Sequence, residues 1–232
     1  MQYTTDIRIV RLMCTGRVDP TIVAQAFVNG ADGVMVVGCH FGDCRYITGN
    51  VQGKIKMGLT TRVLDYVGLN PRRVSFDQCS SAEGERFVRL ITEFDNGIRA
   101  LGPLGSRDRL PMPELREKLL VAKAALGKEK LRWVVGKFTE FTTTGNKYGE
   151  RFTEHEMWRT LDTIVMDEIA THQIIHELKQ GPGVVRKLAD RLKLPAPHVL
   201  RYVLALQRRG VVELDGIEGN SPRYRLAEVK AA

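Results

Sequence analysis

Along the first hundred residues the apolar positions switch repeatedly between a period of two and a period near 3.6. Residues 7–13 are β-branched-rich, with Ile7, Ile9 and Val10 leading to Leu12 and Met13, and predict a strand that ends at Cys14. Asp19-Pro20 predicts a helix start, because Asp caps free N–H groups and Pro fits the first helical position. That helix runs to about Val28, where Asn29-Gly30 supplies a left-handed stop. Residues 33–37 are apolar throughout, the pattern of a strand covered on both faces. A helix over about 54–67 places Leu59, Val63, Leu64 and Val67 on one side. A third strand follows at 74–78 and ends at Cys79; Ser80 and Glu83 then form a capping-box pattern for a helix to about Leu101.

The order β-α-β-α-β-α implies parallel strands with right-handed crossovers. The expected fold class is therefore α/β, a small three-layer parallel-sheet domain, although three strands make a thin sheet. Gly102-Pro103-Leu104-Gly105 marks its end. Helices are expected over 112–127 and 154–178, with a polar loop at 142–149 between them. In the tail, helices over 184–192 and 198–208 follow the one ending near Gln180, and a two-stranded hairpin spans 210–226. Three helices plus a hairpin is the winged helix-turn-helix pattern. The expected domains are thus 1–105 (α/β), 106–162 (helical linker) and 163–232 (winged-helix-like).

The 232 residues carry a net charge of +8. Residues 1–105 hold 12 bases and 10 acids, so the basic excess lies mainly in the second half and mildly favours an acidic partner there. No apolar run reaches the ~18–20 residues of a membrane span, and the opening residues lack the pattern of a secretory signal. A cytoplasmic protein is expected.

All four cysteines, Cys14, Cys39, Cys44 and Cys79, lie in the first 80 residues. Cys14, Cys39 and Cys79 each follow a predicted strand end, and Cys44 shares a loop with Cys39. Carboxyl ends of parallel strands converge on one edge, where ligand sites form. Thiolates there suit an iron–sulfur cluster or zinc; the alternative is a set of small buried apolar side chains, favoured for Cys79. His40 could ligate, bond a cluster sulfur, or stand exposed in its loop. His172 and His176 have metal-pair spacing, but without an accompanying carboxylate motif they read as helix-surface residues. Gly49 to Lys54 lacks the spacing of a phosphate loop. Arg201, Arg208, Arg209, Arg223 and Arg225 offer phosphate contacts for DNA, but Pro195 to His198 supplies few base readers, so protein docking is the stronger reading of the tail.

Three stretches carry a family resemblance: residues 7–20 around Cys14, residues 30–50 with Gly38-Cys39-His40-Phe41-Gly42-Asp43-Cys44, and residues 80–84. Together they resemble the delta subunit of the methyl-viologen-reducing hydrogenase over about residues 1–105. The resemblance implies a [2Fe–2S] cluster with Cys14, Cys39 and Cys44 as metal ligands. It also implies a non-catalytic subunit that relays electrons between a hydrogenase or formate dehydrogenase module and a heterodisulfide reductase-like flavin complex. Family members begin with a strand and a Cys-Cys-x-x-Cys segment that this sequence does not carry, so further ligands are expected upstream of Met1. The competing expectation is a redox-responsive winged-helix DNA-binding regulator.

Overall fold

A computed structural model describes residues 2–228. The backbone divides into two compact units, Met1–Val165 and Met166–Ala232.

The first unit opens with extended chain and a single 3-10 turn at Thr15–Arg17. Helix α1 (Pro20–Val28) starts where expected: the Asp19 carboxylate accepts the Thr21 N–H at 2.9 Å, and Pro20 occupies the first turn. Strand β1 (Val34–Gly38) is followed by α2 (Gly49–Tyr66), and strand β2 (Val74–Gln78) by α3 (Gly84–Leu101). β1 and β2 pair in parallel, Val34 opposite Val74 through Gly38 opposite Gln78. Their carboxyl ends therefore lie side by side. Helices α4 (Glu114–Leu126) and α5 (Glu129–Thr143) and the first part of α6 (Glu154–Lys179) complete the unit. Its core includes Phe27, Leu59, Leu64, Leu115, Leu119 and Leu131, all fully buried. Trp158 of α6 packs against Gly58 of α2, with the Arg62 guanidinium 4.0 Å from its ring centre.

Three expectations are corrected. Residues 7–13 form no strand. Among the described residues β1 pairs with β2 alone, and Ile9, Val10 and Met13 stand 65%, 77% and 79% exposed. β-Propensity is realised only against a partner strand and a packed face, and this segment has neither. The α2 helix begins at Gly49, one turn earlier than its apolar face suggests. Helix α5 is an addition, built on an apolar stripe of Leu131, Val134, Val135 and Phe138 at three- and four-residue spacing.

The second unit takes the rest of α6, a two-residue strand β3 (Gly183–Val184), helices α7 (Val185–Leu192) and α8 (Ala196–Arg208), and the hairpin β4 (Val212–Glu218) and β5 (Ser221–Leu226). β5 is the central strand of an antiparallel sheet, ordered β3-β5-β4. Ile174, Leu188, Val199, Val203, Leu206, Val212 and Tyr224 form its core. His172 is not a surface residue: it is 6% exposed, and its Nδ1 donates to the Glu168 carbonyl at 2.8 Å. No helix among the described residues is long and apolar enough to cross a membrane.

Asp19 also binds Arg132 of α5, with Oδ2 2.7 Å from Nη2. Burial alone would raise this carboxyl, but the Thr21 and Arg132 hydrogen bonds outweigh it and hold it below the ordinary carboxylate range. A carboxyl depressed in the folded state contributes stability above its unfolded value of about 3.9 and loses it as pH falls through the folded value. Asp19→Ala is therefore expected to cost about 0.5–2 kcal/mol at pH 7, and the difference from wild type should shrink below about pH 4. Urea titrations at the two pH values check this; an equal difference at both would contradict it.

Candidate metal centre

The carboxyl ends of β1 and β2 set the site. Gly38 closes β1, and the loop from Cys39 to Thr48 leads into α2. Cys14 arrives by a different route from the one its sequence context suggests. The 3-10 turn after it, not a strand, is what fixes it. Thr15 is wedged between Gly38 and Gly53: Cβ atoms added at those glycines would fall 2.8 and 2.9 Å from its side chain. Lys56 Nζ donates to the Gly16 carbonyl at 2.6 Å and clamps the turn onto α2. The Cys14 sulfur in turn accepts the Gly16 N–H at 3.4 Å.

Cys14 Sγ lies 3.9 Å from Cys44 Sγ, and Cys39 is close enough to Cys44 for each thiol to influence the other's ionisation. They meet at the first turn of α2, where free N–H groups and the helix dipole favour negative charge. Gly49 makes the approach possible. A Cβ there would sit 2.3 Å from Cys14 Sγ and 3.1 Å from Cys44 Sγ. Burial alone would raise the Cys44 thiol, but N–H groups of Asn50 and Tyr46 outweigh it and lower it. Burial and the neighbouring Cys44 thiol push Cys39 up. The pair is thus electrically unequal, with Cys44 the readier thiolate.

Cys79 is engaged elsewhere. Its thiol donates to the Ser80 and Glu83 carbonyls, both at 3.4 Å, and burial followed by the Glu83 charge raises it. His40 turns toward α3, its Nε2 2.6 Å from Glu83 Oε2. The same carboxylate oxygen accepts the Ser80 N–H at 2.7 Å. This is half of the expected capping box, since the Ser80 hydroxyl accepts from Ala82.

Sequence reasoning missed Gly49, Asn50 and Thr15. Asn50 is fully buried, and its side chain reaches Cys39 and His40. The available signal was the pair Gly49 and Gly53, four residues apart and hence on one helix face.

Among the described residues, no three His, Cys, Asp or Glu side chains are gathered closely enough to hold a single metal ion. The donor set nonetheless fits a cluster. All three donors are soft sulfurs, Cys44 buried and Cys14 and Cys39 half-buried, with N–H donors on Cys14 and Cys39, and the space a Gly49 Cβ would fill is left to sulfur.

A family model for the methyl-viologen-reducing hydrogenase delta subunit matches residues 1–102. The chain is 44% identical over 101 residues to an F420-non-reducing hydrogenase iron-sulfur subunit of Archaeoglobus profundus, spanning 44% of this chain and 74% of that protein. It is 41% identical over 103 residues to an F420-non-reducing hydrogenase vhu iron-sulfur subunit of Methanocaldococcus jannaschii, spanning 44% of this chain and 77% of that protein. It is 42% identical over 106 residues to a ferredoxin:CoB-CoM heterodisulfide reductase subunit of Methanosarcina mazei, spanning 46% of this chain but only 13% of that longer protein.

Proposed function

We propose, from the premise that this chain belongs to the methyl-viologen-reducing hydrogenase delta-subunit family, that it is a non-catalytic, cytoplasmic electron-transfer subunit carrying a [2Fe–2S] cluster. Cys14, Cys39 and Cys44 would hold the cluster, with a fourth ligand from outside this trio. The observation that carries the reading is the convergence of these thiols on the first turn of α2, with two sulfurs 3.9 Å apart.

When bound, the cluster supplies one-electron transfer. The chain's own residues supply the rest. Cys44 gives up its proton more readily than Cys39, because the Asn50 and Tyr46 N–H groups lower it while burial and Cys44 itself raise Cys39. Thr15 and Lys56 hold the Cys14 turn in place, and half-burial limits water at the sulfurs. Met13, Phe41, Tyr46 and Ile47, close in sequence to the ligands, stand 79%, 46%, 51% and 83% exposed. Such an apolar rim suits docking of a redox partner. The partners we infer are a hydrogenase or formate dehydrogenase module as donor and a heterodisulfide reductase-like flavin complex as acceptor. Relatives named as a hydrogenase subunit and as a heterodisulfide reductase subunit support the hydrogenase donor and the heterodisulfide reductase-like acceptor.

We read the second unit as a winged helix, on its helix-helix-hairpin order with β5 between β3 and β4. Three of its arginines are paired within the unit, which favours protein docking over DNA. Arg223 binds Asp215 at 2.7 Å, Arg225 binds Glu213 at 2.8 Å, and Arg201 lies 3.5 Å from Asp167. Bases already neutralised within the unit are poor phosphate ligands. Leu214 and Ile217 of the hairpin are exposed.

Anaerobic reconstitution with iron and sulfide, of the chain together with any cysteine-bearing segment encoded ahead of Met1, tests the main reading. After reduction, a [2Fe–2S] EPR signal is expected, and Cys44→Ala should bind less than about a tenth of the wild-type iron, since it removes the sulfur that sits beside Cys14. Wild-type protein without that signal, or full iron loading in Cys44→Ala, would overturn it.

A further inference from the structure

Asn50 stands in the first turn of α2 and is fully buried. Its Nδ2 donates to the His40 carbonyl at 2.6 Å, to the Cys39 carbonyl at 3.2 Å and to Cys39 Sγ at 3.4 Å. The two carbonyls can only accept, so they fix which end of the amide faces the loop. The sulfur therefore meets N–H, not oxygen.

The other end of the side chain is unusual. Oδ1 is buried and has no hydrogen-bond partner. An orphaned buried acceptor costs about 1–3 kcal/mol. An apolar side chain of similar volume would avoid that cost but would leave the loop carbonyls and the sulfur without a donor. Keeping asparagine here makes sense where a donor aimed at Cys39 matters more than satisfying both ends of the amide.

We infer that Asn50 is a positioning residue whose side-chain N–H, bonded to the Cys39 sulfur, raises the reduction potential of a cluster held at this site. The inference rests on the cluster assignment above. Reduction adds negative charge that spreads onto the ligand sulfurs, and a donor to sulfur stabilises the reduced form more than the oxidised one. Removing the donor should therefore favour the oxidised form.

The test uses the full chain, reconstituted with iron and sulfide. In Asn50→Leu, the ratio of oxidised to reduced cluster at a fixed poise should rise about tenfold, which is about 59 mV for one electron, with iron content and EPR line shape retained. A purely structural role would change loading or line shape and leave the potential alone. Wild-type protein carrying asparagine labelled with 15N at the side-chain amide gives a second readout. Pulsed EPR on the reduced cluster should detect the coupled nitrogen through the N–H···S bond. This measurement decides the matter even if Asn50→Leu fails to fold. A loaded wild type without 15N coupling, or a loaded Asn50→Leu with unchanged potential, overturns the role of Asn50 and leaves the cluster assignment standing. A wild type that binds no iron overturns the assignment and this role together.

Discussion

Gly49→Ala is expected to cut iron–sulfur loading at least tenfold while leaving the helix that carries it at least as stable as before. The two effects point in opposite directions because they have different origins. On an isolated helix, Ala is favoured over Gly by about 0.8–1.0 kcal/mol. In this site the new methyl would lie 2.3 Å from Cys14 Sγ and 3.1 Å from Cys44 Sγ, distances that close packing does not admit. Cys14 has one free side-chain torsion and escapes by rotating its sulfur away, which separates it from Cys44. Iron content after reconstitution, read beside the thermal midpoint of the unloaded protein, distinguishes this from simple unfolding. Full loading in Gly49→Ala would mean that the three sulfurs do not act as one site. A lowered midpoint in the unloaded variant would mean that the glycine serves packing alone.

The other large effect is expected at Arg73, far from any thiol. Both Arg73 and Asp108 have fully buried side chains, and Nε lies 2.9 and 3.0 Å from the two carboxylate oxygens. The guanidinium also donates to the carbonyls of Asp32, Gly102 and Pro103 at 2.8, 3.1 and 3.0 Å. Asp108 in turn accepts the N–H groups of Asn70 and Gly105 at 2.8 and 2.7 Å. The starts of both strands and the exit of α3 are thus tied to one pair. Arg73→Met leaves a buried carboxylate without its counter-charge, and a loss of about 3–5 kcal/mol is expected. Asp108→Leu added to Arg73→Met should recover much of it, because two apolar groups replace a pair whose burial is itself costly. Urea unfolding of wild type and both variants tests this; equal stability of the single and double variants would show that the missing carbonyl bonds, not the stranded charge, carry the cost.

Much of this architecture is legible in the sequence where the cause is local. Asp19-Pro20 caps and starts α1, the apolar run marks β1, although that strand is half-buried rather than covered on both faces, and the punctuation around Gly181, Pro195 and Gly210 separates the elements of the tail. The failures have tertiary causes. Residues 7–13 have β-propensity but no neighbour to pair with. Helix α5 contains Gly136 and runs into three threonines, Thr142 to Thr144, which weaken its local signal, while burial of Leu131 and Phe138 holds it together. The thiols at Cys39 and Cys44 are visible as a loop pattern. Asn50 and Gly49 are not, since the start of α2 has no side-chain cap and its glycines read as loop until the chain segment packed against them is known.

Gly49 and Gly53 give α2 an opening turn with little intrinsic helicity, each costing roughly 0.5–1 kcal/mol relative to Ala. That turn stays wound largely because Thr15 and Gly16 press on it. The same contacts deliver the Cys14 sulfur. Anything that tightens the sulfurs therefore suppresses fraying of the helix end, and fraying must loosen the sulfurs by an equal free energy, since the coupling is reciprocal. If the proposed cluster binds, amide exchange in the opening turn of α2 is expected to slow as iron loads and to quicken as it is lost.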